Sequence, residues 1–205
     1  MKRRLKAFCK ANDFLVRSYK NYIAFSSSSE KIFDVLLPLI LAIGLAMGVY
    51  FLNNITVKEF IYKFNSLNGT IISAISILVG FNFAGVSIIA SSQSELVTYL
   101  KSKKSKRDDN TTLFKVLMIF FTWSIVIELL IVTIGVILYF SSQFFVPSSI
   151  MQNEVPVYLW AVVSLLIFLV FHALFNSIRN IKMLFYFITK DYTKSEDTDT
   201  SDDRA

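Results

Sequence analysis

The sequence predicts an all-α, polytopic membrane protein with four transmembrane helices and both termini in the cytoplasm. Three observations carry that prediction. Hydrophobic residues make up 54% of the 205 positions and charged residues only 18%, against about 45–50% and 25% in a soluble domain. Four stretches reach the roughly 20 apolar residues that a helix needs to cross a bilayer. Lys and Arg are dense and sparse by turns in the segments between those stretches, as the retention of positive charge on the cytoplasmic side requires. With 20 Phe, 6 Gly and 3 Pro, the composition excludes a soluble enzyme domain, a disordered regulator and a low-complexity chain. The single cysteine, Cys9, allows no intramolecular disulfide.

Taken in order, residues 1–32 form a basic amphipathic arm. Leu5, Phe8, Leu15, Tyr19 and Tyr22 make a loose helical stripe with Lys and Arg between them. Such a helix lies on the inner leaflet or docks on a partner, and the residues leave both readings open. The opening MKRRLK is similar to a signal n-region, but no apolar core or small-residue cleavage site follows at the usual distance, so we expect it to be retained.

Residues 33–190 hold the transmembrane domain. The first span, Val35 to Leu52, carries no charge; Asp34 sits at its inner mouth within reach of water and Lys31. Between the first two spans, Val57, Phe60, Ile61 and Phe64 repeat at i, i+3, i+4 and i+7, an amphipathic stretch that lies on the outer surface or caps the bundle. The second span lies within the uncharged run from Phe64 to Ser94. The third, Val116 to Phe140, is broken only by Glu128, and the fourth, Val155 to Ile178, contains His172. Beyond it Ile181, Leu184, Phe185 and Ile188 prolong the stripe as a cytoplasmic extension of the fourth helix. Residues 191–205 are polar and acidic, lack apolar anchors and read as a disordered tail.

The distribution of Lys and Arg fixes the orientation. Eight precede the first span: Lys2, Arg3, Arg4, Lys6, Lys10, Arg17, Lys20 and Lys31. Only Lys58 and Lys63 follow it. Lys101, Lys103, Lys104, Lys106, Arg107 and Lys115 separate the second and third spans, none separates the third and fourth, and Arg179, Lys182, Lys190, Lys194 and Arg204 close the chain. The arm, the middle loop and the tail are thereby expected inside. The net charge of +6 is concentrated beside apolar spans, where anionic lipid attracts it. The expected partner is therefore the bilayer, with no direct nucleic-acid contact.

No HExxH, CxxC, GxSxG or Walker pattern occurs, so no enzyme, cofactor or metal is expected. Glu128 stands out, because a carboxylate near mid-membrane costs about 2.5–3.5 kcal/mol on insertion scales. It must face the bundle interior, a water-filled cavity or another subunit. Asn82 and Ser124 are its candidate partners. Either a gate, pore or sensor residue or a polar clamp between helices fits. His172, with Asn176 one turn away, fits a hydrogen-bonded packing histidine or a proton relay. Trp123 reads as a packing residue. Gly44 and Gly48, and Ser76, Gly80 and Ala84, are spaced four apart as helix-packing residues are; they seal the bundle or join copies. The triplets at Asn54, Asn68 and Asn110 match the glycosylation acceptor pattern by chance.

Three stretches carry a resemblance: ISILVGFNFAGVSIIASS with the basic loop after it, IVIELLIVTIGVIL around Glu128, and FHALFNSIRNIKMLFYF around His172. Over roughly residues 65–190 the layout resembles small four-span bacterial membrane proteins of phage defence and phage exclusion, such as the membrane components of the Kiwa and Rex systems. The long basic arm and acidic tail depart from a minimal exclusion protein. The resemblance implies an inner-membrane homo-oligomer, with a tetramer plausible, that senses envelope disturbance and binds a cytosolic effector. Alternatively it implies an oligomeric channel that depolarises the membrane.

Overall fold

A computed structural model describes residues 13–52, 55–144 and 146–189. Residues 1–12 of the arm, including Cys9, Leu5 and Phe8, lie outside the described residues, as do Asn54 and the acidic tail. Helix α1 spans Phe14–Phe25. Four long apolar helices follow: α2 (Ser28–Leu52), α3 (Val57–Ser91), α5 (Leu113–Phe144) and α6 (Val157–Thr189). Each is long and apolar enough to cross a membrane, and in hydrocarbon the helix satisfies every backbone amide internally. The chain is thus an all-α, multi-pass membrane protein.

Local chemistry sets the helix ends. Ser27 begins α2 with a capping box: its hydroxyl accepts from the Glu30 amide at 3.2 Å, and the Glu30 carboxylate accepts from the Ser27 amide at 2.6 Å. Thr56 caps α3 by accepting from the Glu59 amide at 3.4 Å. The stretch Val57 to Phe64 therefore forms the first turns of the second span. Val57 and Phe60 are buried, and the amides of Val57 and Lys58 donate to the carbonyls of Asn153 and Met151 in the α5–α6 connection. This stretch closes the end of the bundle.

The middle loop is folded. Helix α4 (Glu95–Ser102) leads into an antiparallel hairpin of β1 (Lys104–Ser105) and β2 (Asp108–Thr112). From the hairpin turn, Arg107 donates to the carbonyls of Ala24 at 3.1 Å and Ser26 at 2.7 Å. A cation thus caps the C-terminus of α1, where carbonyls lack helical donors and the helix dipole is negative. Helix α1 lies along α5 with Ser18 and Tyr22 buried, and with Phe14, Leu15, Val16 and Tyr19 exposed.

Helix α5 is central, touching α3, α6 and α1, whereas α2 packs on α6. The apolar core gathers Tyr22, Ile75, Trp123, Ile127, Ile131, Leu166 and Ala173. Along α2 the buried positions are Asp34, Pro38 and Ala42, one per turn, and most of its other large apolar side chains are exposed. The close helix approaches fall at Gly85 and Gly135. A Cβ on Gly85 would lie 2.9 Å from the Phe121 ring; on Gly135 it would lie 2.9 Å from the Asn68 amide oxygen. Gly44, Gly48 and Gly80 meet nothing within 4 Å, and Ser76 and Ala84 are exposed. The small-residue spacing thus seals no contact within the described chain. Asn68 is fully buried and donates to the Gly135 carbonyl at 2.8 Å, so this acceptor triplet offers no free amide.

Candidate functional site

Fully buried polar side chains are expensive unless paired, and this bundle concentrates them between α1, α2, α3, α5 and α6. Apart from Asn68 and Ser26, they fall into two adjoining clusters.

The first is built on a helix defect. Pro38 has no amide hydrogen, so the carbonyl of Asp34, four residues earlier, loses its helical donor. The chain answers with a π-turn at Ile32–Leu36, a wider coil often found at functional positions. The Asp34 carbonyl then faces His172, whose Nδ1 lies 2.5 Å away. At the other ring nitrogen, the Trp123 indole N–H donates to Nε2 at 3.1 Å. An indole can only donate, so Nε2 is the acceptor and Nδ1 carries the proton: the partners assign a neutral imidazole.

The Asp34 side chain is also engaged. Its Oδ2 accepts from the Arg179 guanidinium and, at 3.1 Å, from the Tyr22 hydroxyl. Arg179 donates again to the Asn176 amide oxygen at 2.9 Å and stacks over Phe120, 4.3 Å from the ring centroid. Tyr22 stacks on Trp123 at 5.3 Å. Burial, and then the Asp34 carboxylate beside it, push the Tyr22 hydroxyl well above its ordinary 10.0, so it remains a neutral donor.

The second cluster surrounds Glu128, close to the midpoint of α5 and about 22 Å along the axis from Leu113. Its Oε1 accepts from Asn82 Nδ2 of α3 at 2.6 Å and from the Ser177 hydroxyl of α6 at 2.7 Å. Asn180 ties the same three helices once more, donating to Asn82 Oδ1 at 3.0 Å and to Ser124 Oγ at 2.8 Å. All five residues are buried. One turn of α6, Asn176 to Asn180, serves both clusters.

Of the expected site residues, Glu128 and Asn82 meet directly, and Ser124 joins them through Asn180. His172 and Asn176 meet each other (2.9 Å from the Asn176 amide to the His172 carbonyl) in the other cluster. Trp123 is a hydrogen-bond donor as well as a packing residue. The sequence reading missed Asp34, Arg179, Tyr22, Ser177 and Asn180. Asp34 does not reach for water at the mouth of the first span; it is fully buried. The available signal was the pairing of Asp34 with Pro38 one turn on, together with an opposite charge flanking the fourth span at the same end. Among the described residues no group of three or more His, Cys, Asp or Glu is placed to hold a metal. A comparison of the chain with known family models, with characterised proteins and with solved structures finds no match.

Proposed function

We propose that this chain is the membrane-embedded subunit of a bacterial antiphage defence system. In this reading it is an oligomeric sensor or scaffold in the inner membrane with both termini in the cytoplasm. It registers envelope disturbance and passes it to a cytosolic effector.

One observation carries the reading: directional hydrogen bonds join all four apolar helices and α1 through two buried clusters that share one turn of α6. Packed interfaces of this kind have discrete arrangements and do not deform continuously. A displacement of one span breaks specific bonds, and the change reaches Tyr22 and hence α1. Arg107 ties α1 to the hairpin, where the loop cations cluster. That end is the one the charge distribution assigns to the cytoplasm, which makes it the face offered to a soluble partner. The bonds Glu128 makes to two other helices favour a clamp over a pore-lining carboxylate.

The test is purification of the full chain in mild detergent together with the soluble proteins encoded beside it. We expect a homo-oligomer that co-purifies with one of them, and reporter fusions in residues 141–154 that report the periplasmic side. A strict monomer without a partner overturns the reading. Collapse of a potential-sensitive dye signal on forced expression would instead establish a depolarising effector.

A further inference from the structure

Helix α2 packs on α6 and leaves a crevice on its other side, which α1 roofs. This crevice is a cavity of about 560 Å³ between α1, α2, α5 and α6, within the usual range of about 300–1,000 Å³ for small-molecule sites. Its walls are apolar: Val35, Leu36 and Leu39 of α2 face Ile127 of α5 and Phe168 and Leu169 of α6. Deep in the crevice the polar lining is committed elsewhere. Tyr22 donates to Asp34, and Trp123 donates to His172. The remaining charged lining residue is Lys31, in the first turn of α2. Glu30, its acidic neighbour, is held by the Ser27 amide.

We infer that this cavity binds an anionic bilayer phospholipid, with an acyl chain between α2 and α5 and the headgroup phosphate at Lys31. Three features identify the occupant. The walls belong to membrane-spanning helices, so what reaches the cavity laterally is hydrocarbon. Beside Lys31, only the Tyr19 hydroxyl is left for a polar ligand, and both stand on α1 and the first turn of α2, where a headgroup would lie. A single cation stands where the span begins, at headgroup depth, and attracts a phosphate. The chain would rest against Trp123 and close to His172, so its presence or loss bears on the first polar cluster. The inference requires only that the helices lie in a bilayer; it stands or falls apart from any role in defence.

Trp123 lines the cavity, and the chain's other tryptophan, Trp160, does not. The Trp160→Phe protein therefore reports on the site by its fluorescence. The experiment reconstitutes it in phosphatidylcholine vesicles containing, at equal mole fraction, phosphatidylglycerol or phosphatidylcholine brominated on the acyl chain. We expect brominated phosphatidylglycerol to quench Trp123 at a bulk fraction about fivefold lower, the worth of one lysine beside an anionic phosphate. Lys31→Gln should abolish that preference while leaving the circular dichroism unchanged. Leu39→Trp is unsuitable because it adds a fluorophore; Leu39→Phe should fill the cavity and reduce quenching by both lipids. Equal quenching by the two lipids, a preference that survives Lys31→Gln, or no quenching by either overturns the inference.

Discussion

His172 and Asp34, 138 positions apart in the chain, meet through a ring nitrogen and a main-chain oxygen 2.5 Å apart, and Pro38 is the reason that oxygen is free. The contact joins the first and last spans without using the Asp34 side chain, which is left to hold Arg179 and Tyr22. Removing the imidazole with His172→Ala strands two buried groups, the Asp34 carbonyl and the Trp123 indole N–H. Bilayer hydrogen-bond couplings average about 0.6 kcal/mol, and orphaned groups in soluble cores cost about 1–3 kcal/mol. We expect a loss of roughly 1–3 kcal/mol in detergent unfolding. Trp123→Phe combined with His172→Ala should cost less than the sum of the two, because both act on one bond; strict additivity would refute the coupling.

The Asp34–Arg179 pair is buried on both sides. Breaking such a pair leaves an uncompensated charge and costs about 3–5 kcal/mol, whereas replacing both partners by apolar residues is often neutral or stabilising. Asp34→Leu and Arg179→Met should each lower the unfolding midpoint strongly and together should restore most of it. Failure of the double variant to recover would mean that Arg179 contributes chiefly through Phe120 and Asn176.

The four spans were legible because hydrocarbon imposes length and hydropathy on every segment that crosses it, and composition records both. Glu128 and Asn82 were legible for the same reason, as polar groups that lipid does not tolerate. Asp34 and Arg179 were not. Each stands one residue beyond an apolar run, where a charge is ordinarily a membrane-exit marker, and only the tertiary approach of α2 to α6 buries them. Ser177 and Asn180 were hidden in the same way, beside and just past the point where the fourth apolar run ends. In the sequence the folded middle loop shows only its cluster of cations, since its hairpin is too short to leave a strand pattern.

The glycines divide by what faces them, and spacing alone does not sort them. At Gly135 an added methyl group meets Asn68, whose amide is fixed by its bond to the Gly135 carbonyl. Gly135→Ala should therefore cost about 1–3 kcal/mol, as overpacking does. Gly44→Ala and Gly48→Ala meet open space and should leave the unfolding midpoint unchanged or raise it, by up to about 1 kcal/mol from helix propensity. A loss of assembly in size-exclusion chromatography, without a change in that midpoint, would assign the pair to contacts between copies.

The hairpin carries an acid-sensitive element. Asp108 accepts from the Thr111 hydroxyl at 2.7 Å and the Asn110 amide at 3.0 Å, and these bonds, the hydroxyl first, hold its carboxyl below the ordinary 3.8. A depressed folded value means that the contribution is complete above 3.8 and is lost as the pH falls below it. The hairpin should be intact at neutral pH and loosen under acid, weakening the hold of Arg107 on α1. Asp108→Asn should imitate the acid state at pH 7, measured as faster tryptic cleavage after Lys106 and Arg107. Cleavage unchanged from the parent protein would remove the carboxylate from any role in the hairpin.

Glu128 separates a clamp from a gate. Both bonds it receives end on Oε1, and a glutamine presents a carbonyl oxygen at the same place that still accepts from Asn82 and Ser177. If the residue is a clamp, Glu128→Gln should leave stability within about 1 kcal/mol of the parent, because the accepted bonds survive. Glu128→Ala strands the Asn82 amide and the Ser177 hydroxyl and opens a cavity in a packed core, so it should cost at least about 2–4 kcal/mol. Ser177→Ala, which removes one donor, should fall between the two. A gate differs in function and not in stability: Glu128→Gln would then change ion flux across vesicles, whereas a clamp leaves flux as in the parent, and flux measured on the parent and Glu128→Gln proteins decides the matter.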